Sequence, residues 1–178
     1  MKRVLAALLA ACALAGCKQP TNSLADAQAC LHTGDLTCAA ANLKGYLLLK
    51  PEDMHATGLL AIIQTQTGQH AEAIVTARKA IAGGVQDAQL YANLGGSLGA
   101  TGDVEGAIAA NRKALELDPN LVDVAMTTAG MLNDKGQSAE GVKILEAFDA
   151  HQIAGGHPAK FPAMIAVMKE NVAAAPAP

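Results

Sequence analysis

Aromatic side chains are scarce in this sequence, which contains no tryptophan, two tyrosines and two phenylalanines among 178 residues. A core without bulky rings has to be filled by alanine and leucine, so its backbones must approach one another closely. After residue 16 no apolar run is long enough to cross a bilayer. We therefore expect one closely packed domain of ordinary size that lies outside the bilayer.

The sequence also lacks the patterns that mark several functional classes. Its formal net charge is −3 and it has no basic stripe, which argues against nucleic-acid binding. A nucleophile elbow, a phosphate-binding glycine loop and a paired zinc motif are all missing. The five histidines are scattered, and none pairs with cysteines at ligand spacing. We expect no catalytic residue, metal or cofactor; an enzyme is the alternative for which no side chain stands out.

Small residues recur with a fixed period of 34 residues at two positions of the repeat. Turn glycines stand at Gly34, Gly68, Gly102 and Gly136, and small residues follow them at Ala39, Ala73, Ala107 and Gly141. Such a period is typical of stacked helix–turn–helix units. Glycine supplies the positive φ with which a helix ends, and the small residue lets the second helix approach the first. The residues expected to cap second helices are Asp35, Asp103 and Ser138.

Residues 88–121 carry the most complete motif. It consists of Tyr91, Leu94-Gly95, Leu98, Gly102-Asp103, Ala107-Ile108 and the run from Ala114 to Pro119. This unit resembles the tetratricopeptide repeat, which has an aromatic residue in its first helix, Leu-Gly midway and Gly-Asp at the turn. The resemblance is fair in residues 54–87 and weaker in 21–53 and 122–155. It implies an all-α, right-handed solenoid of about four units over residues 21–155.

The resemblance also implies a binding groove, because fixed positions of each first helix line the concave face in this family. The matching residues are His55, Leu59, Ile62, Gln89, Asn93, Gly96, Met126, Gly130 and Asn133. Asn93 stands where many members hold a peptide backbone. The basic residues that clamp a C-terminal carboxylate in chaperone-binding members are missing, which disfavours an acidic-tail ligand. Two alternatives remain: these residues only pack between repeats, or the groove holds a lipid or another apolar molecule.

The C-terminal segment is predicted to close the array. Residues 158–172 are predicted to form a capping helix, of which Pro162 to Val172 reads as amphipathic. Its apolar face carries Met164, Ile165, Met168 and Val172. A docking helix for a partner is the alternative. Gly155 to Pro158 is predicted to be a loop, and residues 173–178 a disordered tail.

The N-terminus resembles the signal peptide of a bacterial lipoprotein over residues 1–16. Lys2-Arg3 precedes an apolar run, Val4 to Ala15, that is too short for a permanent span. Leu14-Ala15-Gly16-Cys17 resembles a lipobox, which implies lipidation of Cys17 and a short linker at residues 17–20. Lys18 favours the outer membrane, facing the periplasm, over the inner membrane. Cleavage after Ala15, which would release a soluble periplasmic protein, stays open.

The remaining cysteines agree with export. Cys12 would leave with the signal and Cys17 would be lipidated, so Cys30 and Cys38 form an even pair. They flank Gly34 at equal distance, and we expect them at similar height on the two helices of the first hairpin. A disulfide there would stabilise the hairpin by about 2–3 kcal/mol. Two reduced, buried cysteines are the alternative.

These patterns together predict a membrane-anchored scaffold of the bacterial cell envelope. It would serve pilus, secretion, outer-membrane or peptidoglycan assembly. The predicted partners are envelope proteins, bound through peptide or helix segments, and the membrane, bound through the N-terminal lipid. Nucleic acid is not among them.

Overall fold

The computed structural model describes residues 22–174, and this part of the chain is α-helical without strands. Its nine helices are α1 (Leu24–His32), α2 (Leu36–Leu49), α3 (Met54–Gln66), α4 (His70–Ala82), α5 (Ala88–Ala100), α6 (Val104–Leu117), α7 (Val122–Asp134), α8 (Ser138–Ala154) and α9 (Pro162–Ala174). The predicted all-α helical repeat is confirmed. The chain forms two compact units, which meet in sequence at Pro51 and Glu52.

The first unit is the hairpin of α1 and α2. Both helices begin at a capping side chain: Ser23 accepts from the amide of Asp26 at 3.0 Å, and Asp35 accepts from that of Cys38 at 2.8 Å. The buried apolar side chains are small or of medium size, namely Ala27, Ala39, Ala40 and Leu43. Close approach of two helices therefore replaces bulk, as the composition predicts.

The second unit contains three successive hairpins, α3–α4, α5–α6 and α7–α8, followed by α9. Helix α5 packs on both α3 and α4, and α6 packs on α7. Leucine and alanine dominate the core between the first two hairpins: Ala61, Ala77, Ala80, Leu90, Leu94, Leu98, Ala107 and Ala110. Each hairpin therefore buries its apolar stripe against the next one, which is how a helical repeat is stabilised.

The periodic glycines end the first helix of each hairpin. At Gly102, φ is +88°; its amide donates to Gly99 O at 3.1 Å and the amide of Asp103 donates to Leu98 O at 2.9 Å. This pair of bonds satisfies carbonyls that the helix leaves unpaired and requires a left-handed residue. The other periodic glycines, Gly34, Gly68 and Gly136, have φ between +74° and +76°. The turn predicted from the period is confirmed.

The predicted helix caps are correct at two positions and wrong at the third. Asp35 and Asp103 each accept a backbone amide of the following helix. Ser138 is instead the first residue of α8, and Gln137 holds the capping position without a side-chain bond. Because Ser138 comes one residue too late, its buried hydroxyl donates to Asn133 Oδ1 at 2.9 Å.

The small residues in step with the glycines lie where paired helices approach most closely. Ala39, Ala73 and Ala107 are at most 1% exposed. At Gly141 a β-carbon would stand 2.9 Å from the carbonyl oxygen of Ala129 on α7. A larger side chain at these positions would push the two helices apart.

Helix α9 packs on α8 and covers its apolar face. Met168 is 3% exposed, and Met164, Ile165 and Phe161 are half-buried against Ala129, Val142 and Leu145. Val172, predicted on the same face, is 40% exposed. Asp149 on α8 holds the segment before α9, because its carboxylate accepts the amides of Lys160 at 2.7 Å and Phe161 at 3.1 Å.

The bounds of α9 differ from the prediction at both ends. Residues 158–161 precede the helix, which begins at Pro162, a favoured first position because proline needs no amide partner there. The helix continues to Ala174, so the predicted tail is wrong for residues 173 and 174. Alanine has the highest helix propensity, which favours this extension. Residues 175–178 lie outside the described part.

Candidate functional site

The predicted groove residues lie on the first helices of the three hairpins in the second unit. Helix α3 carries His55, Leu59 and Ile62, helix α5 carries Gln89, Asn93 and Gly96, and helix α7 carries Met126, Gly130 and Asn133. None of these nine residues is buried. We call the surface that they form the first-helix face.

The α3 part of this face contains a depression of about 160 Å³. It brings His55, Leu59 and Ile62 together, and its other walls are Gly58, Val85, Asp87 and Leu90. Asp87 caps α5 through the amide of Leu90 at 2.7 Å. The depression therefore combines apolar side chains with one imidazole and one carboxylate. The repeat positions predicted the lining residues on α3, but they did not predict Val85 and Asp87 from the loop between α4 and α5.

The α5 and α7 parts of the face hold two glycines that no neighbour requires. At Gly96 and at Gly130 a β-carbon would meet no other atom within 4 Å. Each glycine therefore leaves free space above its helix instead of serving a close helix contact. Met126 on α7 exposes 45% of its surface. An extended segment of another chain could approach both helix backbones closely along this surface.

The two asparagines of the face are engaged within the chain. Asn93 Nδ2 donates to Gln89 O at 2.8 Å within α5. Asn133 Oδ1 accepts from Ser138 at 2.9 Å and from Asn171 Nδ2 on α9 at 3.2 Å. Asn133 thus helps to hold α9, and the face is bounded at this side by the C-terminal helix.

Sequence reasoning missed a second, larger depression, which lies between α6 and α8. It has a volume of about 510 Å³ and is lined by Arg112, Leu115, Glu116, Pro119, Ile144, Ala147, Phe148 and His151. Arg112 forms an ion pair with Glu140. Glu116 is 2.9 Å from Lys113, and this hydrogen-bonded carboxylate raises the pKa of Lys113. The lining is mainly apolar, and Arg112, Glu116 and His151 supply its polar groups.

A polar cluster connects α3, α4 and α5 inside the second unit. The hydroxyls of Thr65 and Ser97 are 2.8 Å apart, and His70 Nδ1 is 3.4 Å from Ser97 Oγ. Ser97 is fully buried. A hydroxyl that solvent does not reach cannot attack a substrate, so this cluster stabilises helix contacts. Within residues 22–174 no three His, Cys, Asp or Glu side chains could hold a metal ion together.

In the first unit the structure joins Cys30 and Cys38 as a disulfide, with their Cα atoms 5.7 Å apart. Asn42, which is buried, donates to Cys38 O at 3.1 Å and lies 3.5 Å from Cys38 Sγ. Cys17, the predicted lipidation site, lies outside the described residues. None of the helices from Leu24 to Ala174 is both long and apolar enough to span a bilayer.

Comparison with known proteins locates the sequence similarity in the second hairpin of the second unit. A sequence profile described as tetratricopeptide repeat matches residues 88–121. No curated protein matches the chain. Solved structures share the fold. The crystal structure of MamA protein has a TM-score of 0.64 at 18% identity and is matched over 71% of this chain and 69% of its own.

Two further structures extend this comparison. A tetratricopeptide repeat protein from Parabacteroides merdae has a TM-score of 0.59 at 17% identity, with 68% of this chain and 48% of that chain covered. An O-GlcNAc transferase mutant from Thermobaculum terrenum has a TM-score of 0.60 at 23% identity, with 72% and 25% covered. At such identities the likeness establishes the fold alone. The profile match identifies one tetratricopeptide repeat over α5–α6, and the solved structures share the helical-repeat fold.

Proposed function

We propose that this protein is a lipid-anchored scaffold of the bacterial cell envelope that holds a peptide or helix segment of a partner on its first-helix face. A helical repeat suits this role because its repeated units form an extended surface for protein binding. The open glycine positions Gly96 and Gly130 carry the proposal. They leave room for another backbone above two helices whose own packing does not need glycine there.

The anchor is proposed from the N-terminal sequence. Lys2-Arg3, the apolar run and Leu14-Ala15-Gly16-Cys17 match the order of a lipoprotein signal. Acyl chains on Cys17 would contribute about 0.8 kcal/mol for each buried CH₂, so three chains would hold the protein on a membrane. The Cys30–Cys38 disulfide agrees with an oxidising compartment. Lys18 supports the outer membrane, and the alternative cleavage after Ala15 would leave a soluble adaptor.

Photocrosslinking in cells tests the scaffold function. A photoreactive amino acid replaces Asn93 or Met126 on the first-helix face, or Val75 as the control. Val75 lies on α4 and is 70% exposed, so a probe there is as accessible as one on the face. We expect the probes at positions 93 and 126 to capture one reproducible envelope protein that the probe at position 75 does not capture. Equal capture at all three positions would contradict the proposed face.

An apolar small molecule is a second candidate ligand, and the α6–α8 depression favours it. Its volume of about 510 Å³ and its mainly apolar walls match the properties of small-molecule sites. Solvent extraction of the purified protein, followed by mass spectrometry, would identify such a ligand. Ala147→Trp should remove it by filling the depression, whereas Ala139→Trp on an exposed part of α8 should not. A protein without any extractable ligand would exclude this candidate.

A further inference from the structure

The last turn of α2 exposes the two most accessible large apolar side chains of the described residues. Leu48 is 84% exposed and Leu49 is 71% exposed. They are adjacent, and the exposed Lys44 and Lys50 flank them. Single exposed leucines are common on protein surfaces, but an adjacent pair at the end of a helix forms a small apolar tip.

The chain enters the first unit beside this tip. The side-chain oxygen of Asn22 lies 1.7 Å from the point where a β-carbon on Gly45 would stand, so Asn22 rests directly on α2. Leu48 and Leu49 follow Gly45 by one helical turn on the same side of the helix, about 5 Å further along its axis. Asn22, where the described part of the chain begins, therefore lies at the end of the hairpin that carries the two leucines.

The length of that segment limits how far the hairpin can lie from a lipid anchor. Residues 18–21 separate Cys17 from Asn22. Even a fully extended chain spans only about 3.5 Å for each residue, so Asn22 lies within about 18 Å of the lipidated cysteine. A lipid on Cys17 would therefore keep Leu48 and Leu49 close to the membrane surface.

We propose that Leu48 and Leu49 insert into the lipid surface and orient the first unit on the membrane. The inference rests on the proposed lipid anchor: the acyl chains provide attachment, and the leucines fix which end of the hairpin faces the bilayer. Lys44 and Lys50 flank the leucines with ammonium groups that can reach lipid phosphates while their stems stay apolar. The acidic groups of this hairpin are otherwise engaged, because Asp35 caps the far end of α2 and Asp26 is bonded to Ser23.

Depth-dependent fluorescence quenching tests this proposal on the full mature lipoprotein. The protein is reconstituted into vesicles of phosphatidylethanolamine and phosphatidylglycerol, with a fluorescent amino acid at position 48. Thr37 provides the matched control position, because it is exposed on the same face of α2 and lies about 16 Å from Leu48 along the helix. Nitroxide-labelled lipid and aqueous iodide serve as the two quenchers.

We expect the lipid nitroxide to quench position 48 severalfold more strongly than position 37, and iodide to show the opposite order. Leu49→Ser with the fluorophore at 48 should weaken the lipid quenching about threefold, since one inserted leucine is lost. Equal iodide access at positions 48 and 37, or no effect of Leu49→Ser, would overturn the proposal. Flotation with the vesicles distinguishes the insertion of the leucines from the lipid anchor. If the protein floats while iodide reaches position 48, only the insertion is refuted. If the protein does not float, the anchor is refuted.

Discussion

The side-chain oxygen of Asn111 on α6 lies 2.0 Å from the point that a β-carbon on Gly95 of α5 would occupy. Asn111 is 4% exposed, and the carbonyl oxygen of Ala107 lies 3.2 Å from the same point. A buried amide and a backbone carbonyl thus fill the place of a side chain at Gly95. The Leu94-Gly95 pair of the repeat motif has a direct physical cause in this contact.

Gly95→Ala should therefore destabilise the protein. Displacing the buried Asn111 amide lowers the free energy of unfolding by up to about 3 kcal/mol, whereas the helix-propensity gain of alanine is only about 1 kcal/mol. The neighbouring Gly96→Ala is the control, because its β-carbon meets nothing within 4 Å and should leave stability unchanged or higher. Urea denaturation measures both. Equal stability of the two variants would show that the Asn111 contact is not restrictive.

Asp149→Ala should loosen α9. The carboxylate accepts the amides of Lys160 and Phe161, and leaving them without a partner costs about 1–3 kcal/mol. We expect faster hydrogen exchange throughout α9 and little change in α3 and α4. Asp134→Ala, at an exposed position, should change stability by less than about 0.5 kcal/mol. Unchanged exchange in α9 would mean that its other contacts, such as the packing of Met168, are enough to hold this helix.

The Cys30–Cys38 disulfide can be tested by labelling thiols in the denatured mature protein. We expect no reactive thiol before reduction and two after it. Reduction should lower the free energy of unfolding by about 2–3 kcal/mol, since the bridge no longer restricts the unfolded chain. Two reactive thiols before reduction would establish the reduced alternative.

Cys17→Ser tests the anchor. The variant should leave the membrane fraction for the soluble periplasm or stay unprocessed, because it has no thiol to receive a lipid. Cys12→Ser is the control, since its cysteine lies in the predicted signal and should not affect attachment. Undiminished membrane association of the Cys17 variant would contradict the lipid anchor.

Features that depend on local backbone chemistry could be predicted from the sequence. The turn at Gly102 follows from glycine's access to positive φ, and Pro119 ends α6 because the residue before a proline avoids the helical region. Serine suits a cap, which is why the sequence predicts Ser138 there, but the turn places Gln137 at the capping position. Local chemistry alone does not reveal a one-residue shift of this kind.

Features that depend on contacts between distant helices could not be predicted. The α6–α8 depression forms where side chains such as Leu115 and Ile144 come from different hairpins. Asn133 was assigned to the groove by its repeat position, yet Asn171 on α9 donates to its oxygen. A repeat motif describes one unit and does not specify what the terminal helix covers.

The most direct test of the scaffold function compares crosslinking from position 126 in two variants that carry different substitutions of Gly96. Gly96→Ala adds a single methyl group, whereas Gly96→Leu extends a larger side chain from a β-carbon position that meets no other atom within 4 Å. If a partner segment lies on the first-helix face, Gly96→Ala retains the captured envelope protein and Gly96→Leu loses it, with both variants equally stable in urea. Capture of the same protein at undiminished yield by Gly96→Leu would contradict the proposed binding face.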